Sequence, residues 1–130
     1  MRISAIVILL FLVACQGSVS TQELIGEWKY IKVESPNQYP PYVMPDEELK
    51  QGDPSIKFTA SGDLVIIWGG TRLSYGKFRM ENRMIRYTEN LPEGAVREFP
   101  FLIKEITPQK LVFETMNKDA TRVTAIRTKP

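Results

Sequence analysis

The stretch Ile56-Lys57-Phe58-Thr59-Ala60-Ser61-Gly62-Asp63-Leu64-Val65-Ile66-Ile67-Trp68 decides the fold. Two runs of β-branched and aromatic residues flank Ser61-Gly62, the pattern of two strands joined by a tight turn. The same pattern recurs to the end of the chain. Arg72 to Met80 and Met84 to Thr88 flank Glu81-Asn82, and Arg97 to Ile106 and Lys110 to Thr115 flank Pro108-Gln109. Arg122 to Thr128 forms a last strand beyond Asn117-Lys118-Asp119, and Glu27 to Glu34 forms the first. Gly69-Gly70 and Pro92-Glu93-Gly94 link the hairpins. Residues 55–130 carry no 3.6-residue period that would mark a helix. Parallel neighbours need crossovers of about a dozen residues or more, and these links are shorter, so successive strands run antiparallel. The expectation is an all-β domain: a single small eight-stranded antiparallel up-and-down barrel, whose closure leaves no exposed edge. A two-sheet sandwich is the alternative, but it needs longer cross-sheet connections.

The first connection, residues 35–54, is the exception. It is long and carries prolines at 36, 40, 41 and 45. Long loops in compact domains often serve as lids or binding loops. Tyr39, Tyr42, Val43 and Met44 give this one an apolar tip, and Asp46 to Gln51 reads as one or two helical turns stopped by Gly52. Upstream, Ser20-Thr21-Gln22-Glu23 fits a capping box opening a helical turn over 21–25.

The N-terminus has a different character. One basic residue, Arg2, precedes an apolar run from Ala5 to Ala14 of about ten residues, the length of a signal h-region. A bilayer-spanning helix needs about 20. The tetrad Leu12-Val13-Ala14-Cys15 resembles the lipobox of bacterial lipoproteins. That resemblance implies cleavage before Cys15, a diacylglycerol on its thiol and an acyl chain of the palmitate type on its new amine. Residues 1–14 would then be a lipoprotein signal peptide, 15–20 a lipidated cysteine and tether, and 21–130 the barrel domain. Several acyl chains on one residue give a stable anchor where a single chain is marginal. The expected location is the cell envelope. Gln16 supplies no acidic inner-membrane retention signal, which favours the outer membrane, facing either the periplasm or the exterior.

Composition narrows the chemistry. Cys15 is the only cysteine and histidine is absent. The mature chain therefore has no disulfide, thiolate ligand, imidazole base or histidine metal ligand. The expectation is a non-enzyme with no cofactor and no metal site. Asp46, Glu47 and Glu48 lack EF-hand spacing and read as a solvated turn. The 17 basic and 15 acidic residues are interleaved, without the basic stripe of a nucleic-acid surface.

Leu24-Ile25-Gly26-Glu27-Trp28 resembles the opening of lipocalins and other calycins, in which a helical turn leads into Gly-x-Trp at the start of the first strand. The resemblance implies that Trp28 plugs the closed end of the barrel under an arginine from the last strand, with Arg127 the best match and Arg122 the second. It also implies that the long first loop overhangs the mouth. The chain is shorter than typical lipocalins, has no disulfide and lacks clear counterparts of the family's second and third motifs. In these respects it is similar to the small lipocalin-like lipoproteins of Gram-negative bacteria.

Strict alternation from Trp28 would put Tyr30 and Lys32 inside and Ile31 and Val33 outside. Leu64, Ile66 and Trp68 share one face while Val65 and Ile67 make the other apolar too, so a cover or an exposed patch is expected there. Phe78 and Met80 should pair with Ile85 and Tyr87. Lys32, Arg72, Arg79 and Arg86 read as solvated outer-face residues, with an inward charge for a head group as the alternative. The expected function is a membrane-anchored module holding a small apolar or amphipathic ligand at the mouth, touched by Tyr39, Tyr42, Met44, Trp68 and Tyr75. The alternative is a filled barrel acting as an envelope protein-interaction or accessory subunit. An apolar cavity above about 300 Å³ beneath the loop separates the two.

Overall fold

A computed structural model describes residues 17–130. The expected signal peptide and Cys15 lie outside the described residues. Nine strands follow a short helix. They are β1 (Gly26–Ser35), β2 (Tyr42–Val43), β3 (Ser55–Phe58), β4 (Asp63–Trp68), β5 (Thr71–Glu81), β6 (Met84–Asn90), β7 (Val96–Ile106), β8 (Lys110–Thr115) and β9 (Arg122–Lys129). Every neighbouring pair is antiparallel, and β1 pairs with both β3 and β9, which closes the barrel. The eight-stranded antiparallel barrel expected from the hairpin series is the observed fold, with β2 as an added two-residue strand on the end of β1. Helix α1 is Thr21–Leu24, and the Glu23 carboxylate accepts from the Ser20 N–H at 2.8 Å.

Hairpin registers follow the side-chain pairs read from the sequence. Phe78 faces Tyr87 and Met80 faces Ile85. The inner face carries the apolar side chains, and the aromatic rings of Phe99, Tyr87, Phe101, Phe113, Tyr30 and Trp68 form a continuous chain across the interior, with centroids 5.3–6.4 Å apart. These are edge-to-face and stacked distances that contribute beyond area burial.

Four bulges bend the wall, at Tyr30/Lys32, Glu27/Trp28, Ile66/Ile67 and Ile103/Glu105. The first overturns the strict alternation expected in β1. An extra residue on one strand shifts the facing of everything beyond it. Tyr30 stays inside, but Lys32 turns out beside exposed Ile31, and Val33 turns in.

The 35–54 connection is part of the wall. β3 begins only opposite Lys29, so the later half of β1 lacks a partner there. The connection fills this side. β2 pairs with Glu34 and Ser35, the Met44 N–H donates to the Val33 carbonyl, and α2 (Asp46–Gly52) buries Leu49 in the core. Gly52 does not stop the helix as expected. Asp53 takes the left-handed position (φ 40°), and Gly52 is the last residue of the helix, where a Cβ would come 2.6 Å from the Trp68 Nε1.

The segment before α1 is also held. Val19 is buried in the core cluster, and its N–H donates to the Asn82 carbonyl at 2.7 Å, in the β5–β6 turn. Val19, read from the sequence as part of a polar tether over 16–20, is a core residue.

Candidate functional site

The closed end is built around Trp28, which is fully buried at the start of β1. Its indole N–H donates to the Leu24 carbonyl at 2.9 Å, tying α1 across the barrel floor. Arg127, from β9, lies over the indole with its guanidinium carbon 4.1 Å from the ring centroid. It donates from Nη2 to the Glu23 carbonyl (2.7 Å), from Nε to the Pro108 carbonyl (2.7 Å) and from Nη1 to the Ile25 carbonyl. One side chain thereby satisfies carbonyls at the end of α1 and in the β7–β8 turn, groups a helix end leaves without partners. Gly26 is required between them. Its φ of 132° is unfavourable for other residues, and a Cβ would sit 2.6 Å from Arg127 Nη1. Arg122 is at the opposite end of β9, paired with Glu114 at 2.7 Å.

The open end contains a polar chain that pattern reading missed. Ser74 on β5, Tyr87 and Glu89 on β6 and Arg97 on β7 meet inside the rim. The Ser74 and Tyr87 hydroxyls are 2.6 Å apart, the Ser74 hydroxyl also reaches a Glu89 oxygen, and Arg97 Nη2 donates to the other Glu89 oxygen at 2.6 Å. An ionised carboxylate only accepts and Ser74 has one proton, so the order runs from the Tyr87 hydroxyl to Ser74 to Glu89. Ser74, Tyr87 and Glu89 are all buried, whereas Arg97 is largely exposed and lies over Phe99. The signal was present as Ser74 and Glu89 in phase with the apolar inner residues Phe78 and Tyr87. Alternation alone does not mark a polar residue at such a position as structural or functional.

Burial raises the Tyr30 hydroxyl well above the usual tyrosine range, and Tyr87 adds to the shift. Burial also raises Tyr87, with the Ser74 hydroxyl and then Arg97 offsetting part and the Glu89 charge adding. A raised folded-state value means both hydroxyls hold their protons where the unfolded chain has lost them. The stability this represents is complete below about pH 10 and falls as the pH rises further. Tyrosinate absorbance from these two residues is therefore expected to appear together with unfolding above pH 10. Ionisation of both with the near-ultraviolet circular dichroism intact would contradict the buried placement.

The five residues expected at a ligand mouth are not brought together. Tyr39 is fully exposed, and Tyr42 is exposed on β2. Met44 and Trp68 pack against the core. Tyr75 is on the outer face of β5, beneath the Arg72 guanidinium at 3.6 Å, and so is away from the mouth. Among the described residues, concavities border the rings of Phe58 at the closed end, Tyr30 beside α2 and Phe99 at the rim. At the rim, a concavity of about 370 Å³ lies among Arg97, Phe99, Pro100, Thr115, Met116 and Asn117. Among the described residues no helix is long and apolar enough to cross a membrane. No family model matches the chain, and no curated protein matches it.

Proposed function

We propose that the chain is a lipid-anchored cell-envelope protein with a lipocalin-like barrel, and that it acts through its surface, as a non-enzymatic protein-interaction or accessory module. The observation that supports this reading is the chain of aromatic rings in mutual contact across the interior. The Leu12-Val13-Ala14-Cys15 tetrad supports the anchor, and the Gly26, Trp28 and Arg127 arrangement supports the lipocalin-like reading.

Covalent geometry adds an orientation. Val19 is held at the closed end, so Cys15 can be at most about 14 Å from it, four residue steps. A lipid on Cys15 therefore draws the closed end toward the bilayer and leaves the rim pointing away. Tyr39, Tyr42 and Val43 would then be presented to the envelope space, and tyrosine is enriched at interfaces.

The chain purified from its own host is expected to show, by native mass spectrometry, the mass of the lipidated protein without a further adduct. A retained lipid-like molecule would overturn the filled-barrel reading. Cys15→Ser is expected to block normal processing and lipid attachment; a variant that is processed normally and stays on the membrane would overturn the anchor. The rim concavity favours a second reading, in which Phe99 and Met116 hold the apolar part of an amphipathic ligand and Arg97 its anionic head. A host-derived adduct lost on Arg97→Gln would support it.

A further inference from the structure

The outer face of β3, β4 and β5 carries a concavity of about 360 Å³ lined by Lys57, Asp63, Val65, Arg72, Tyr75 and Lys77, with Thr59 and Asn90 at its borders. That size lies within the range of small-molecule sites. Registers explain why these side chains meet: Lys57, Val65 and Tyr75 are neighbours across three strands, and Asp63 faces Lys77 in the next row. The apolar outer face of β4 foreseen from Val65 and Ile67 is thus bordered by cations, and neither helix lines this concavity.

Charge is unevenly satisfied here. Lys77 pairs with Asp63 at 2.5 Å, and that carboxylate is held below its usual range by Lys77 and then by Ser61. Lys57 and Arg72 have no carboxylate partner among the described residues, while most other wall cations do, including Lys29, Lys32, Arg79, Arg86, Arg97, Lys110, Arg122 and Lys129. The concavity therefore holds three cations against one carboxylate. Arg72 is also ordered in advance. Its guanidinium carbon lies 3.6 Å from the centroid of Tyr75, a residue in register with Val65 and Lys57. A guanidinium fork and a compact ammonium lining one concavity offer a phosphate two kinds of contact, the fork paired hydrogen bonds and the ammonium a point charge.

From the two unpaired cations, Arg72 stacked on Tyr75 and Lys57 across the same concavity, we infer that the outer face of β3–β5 is a binding site for a phosphate-bearing small molecule or head group. The site stands apart from the anchoring and surface-interaction reading, which fails on fractionation and mass; this one fails on titration.

The test uses the full chain purified in nonionic detergent, titrated calorimetrically at low salt with sodium pyrophosphate in one arm. In the other arm, the micelles are doped with dihexanoyl phosphatidylglycerol or, as the neutral comparison, dihexanoyl phosphatidylcholine. Arg72→Gln and Lys57→Gln are each expected to weaken binding about tenfold. Lys104→Gln, an exposed unpaired cation on β7, is expected to change it by less than about twofold. All three side chains are exposed, so unchanged thermal unfolding shows that the variants are folded. Binding of pyrophosphate alone identifies a free phosphate compound, and binding of phosphatidylglycerol alone identifies a head group. Either result supports the site when it depends on Arg72 and Lys57. No binding in either arm, or equal binding by the Arg72→Gln and Lys57→Gln double variant, overturns it.

Discussion

Trp28→Ala is expected to lower the unfolding free energy by about 4 kcal/mol or more, toward the upper range for large-to-small core substitutions. The cost has three parts. A fully buried indole leaves a cavity on the barrel floor. The Leu24 carbonyl loses its donor in a buried setting. Arg127 loses the ring beneath its guanidinium while its donors remain committed to Glu23, Ile25 and Pro108. A domain of this size has about 5–15 kcal/mol in all, so the variant should be close to unfolding at growth temperature. Urea denaturation should show a lower midpoint with an unchanged slope. Trp28→Phe keeps a ring and loses the hydrogen bond, so it should fall between the two. A Trp28→Ala midpoint equal to that of the parent would mean that the floor is not closed by this residue.

The second large effect is expected from the smallest change. Gly76 is buried in the middle of β5, opposite Glu89, and its backbone is not in the left-handed region. It is glycine for lack of space: a Cβ would run into the Thr88 carbonyl of β6. The clash is with backbone, so relief requires β5 and β6 to separate, at about 3 kcal/mol, the upper end of ordinary overpacking. Separation would also disturb the hydroxyl chain from Tyr87 through Ser74 to Glu89, which spans these two strands. Gly76→Ala should therefore lower both the urea midpoint and the pH at which the buried tyrosines ionise. A loss of less than about 0.5 kcal/mol, typical of surface substitutions, would show that the strands can part freely there.

Much of the candidate site was hidden for a common reason. Ser74, Glu89 and Arg97 are far apart in sequence and unremarkable in type, and only the strand registers bring them together. Tyr75 was legible as an aromatic on a strand, but its facing depends on the phase of β5 and places it on the outer wall, under Arg72. Val19 looked like part of a polar tether. The closed end offers it a buried position and the Asn82 carbonyl, neither of which is visible from its neighbours in the chain.

The sequence by itself determined the period-two pattern, the turns between strands and the antiparallel order, and it favoured a barrel over a sandwich; the β1–β9 pairing closes it. The sequence also showed that the chain has no imidazole and only the one thiol of Cys15, because these depend only on residue types present. Tertiary structure alone decided which face each residue shows beyond the Tyr30/Lys32 bulge, how the 35–54 segment completes the wall, that Arg127 rather than Arg122 covers Trp28, and that aromatic rings from five strands meet across the interior. The pleat is a local property of the backbone, whereas bulges, facing and filling are set when eight strands must meet around one circumference.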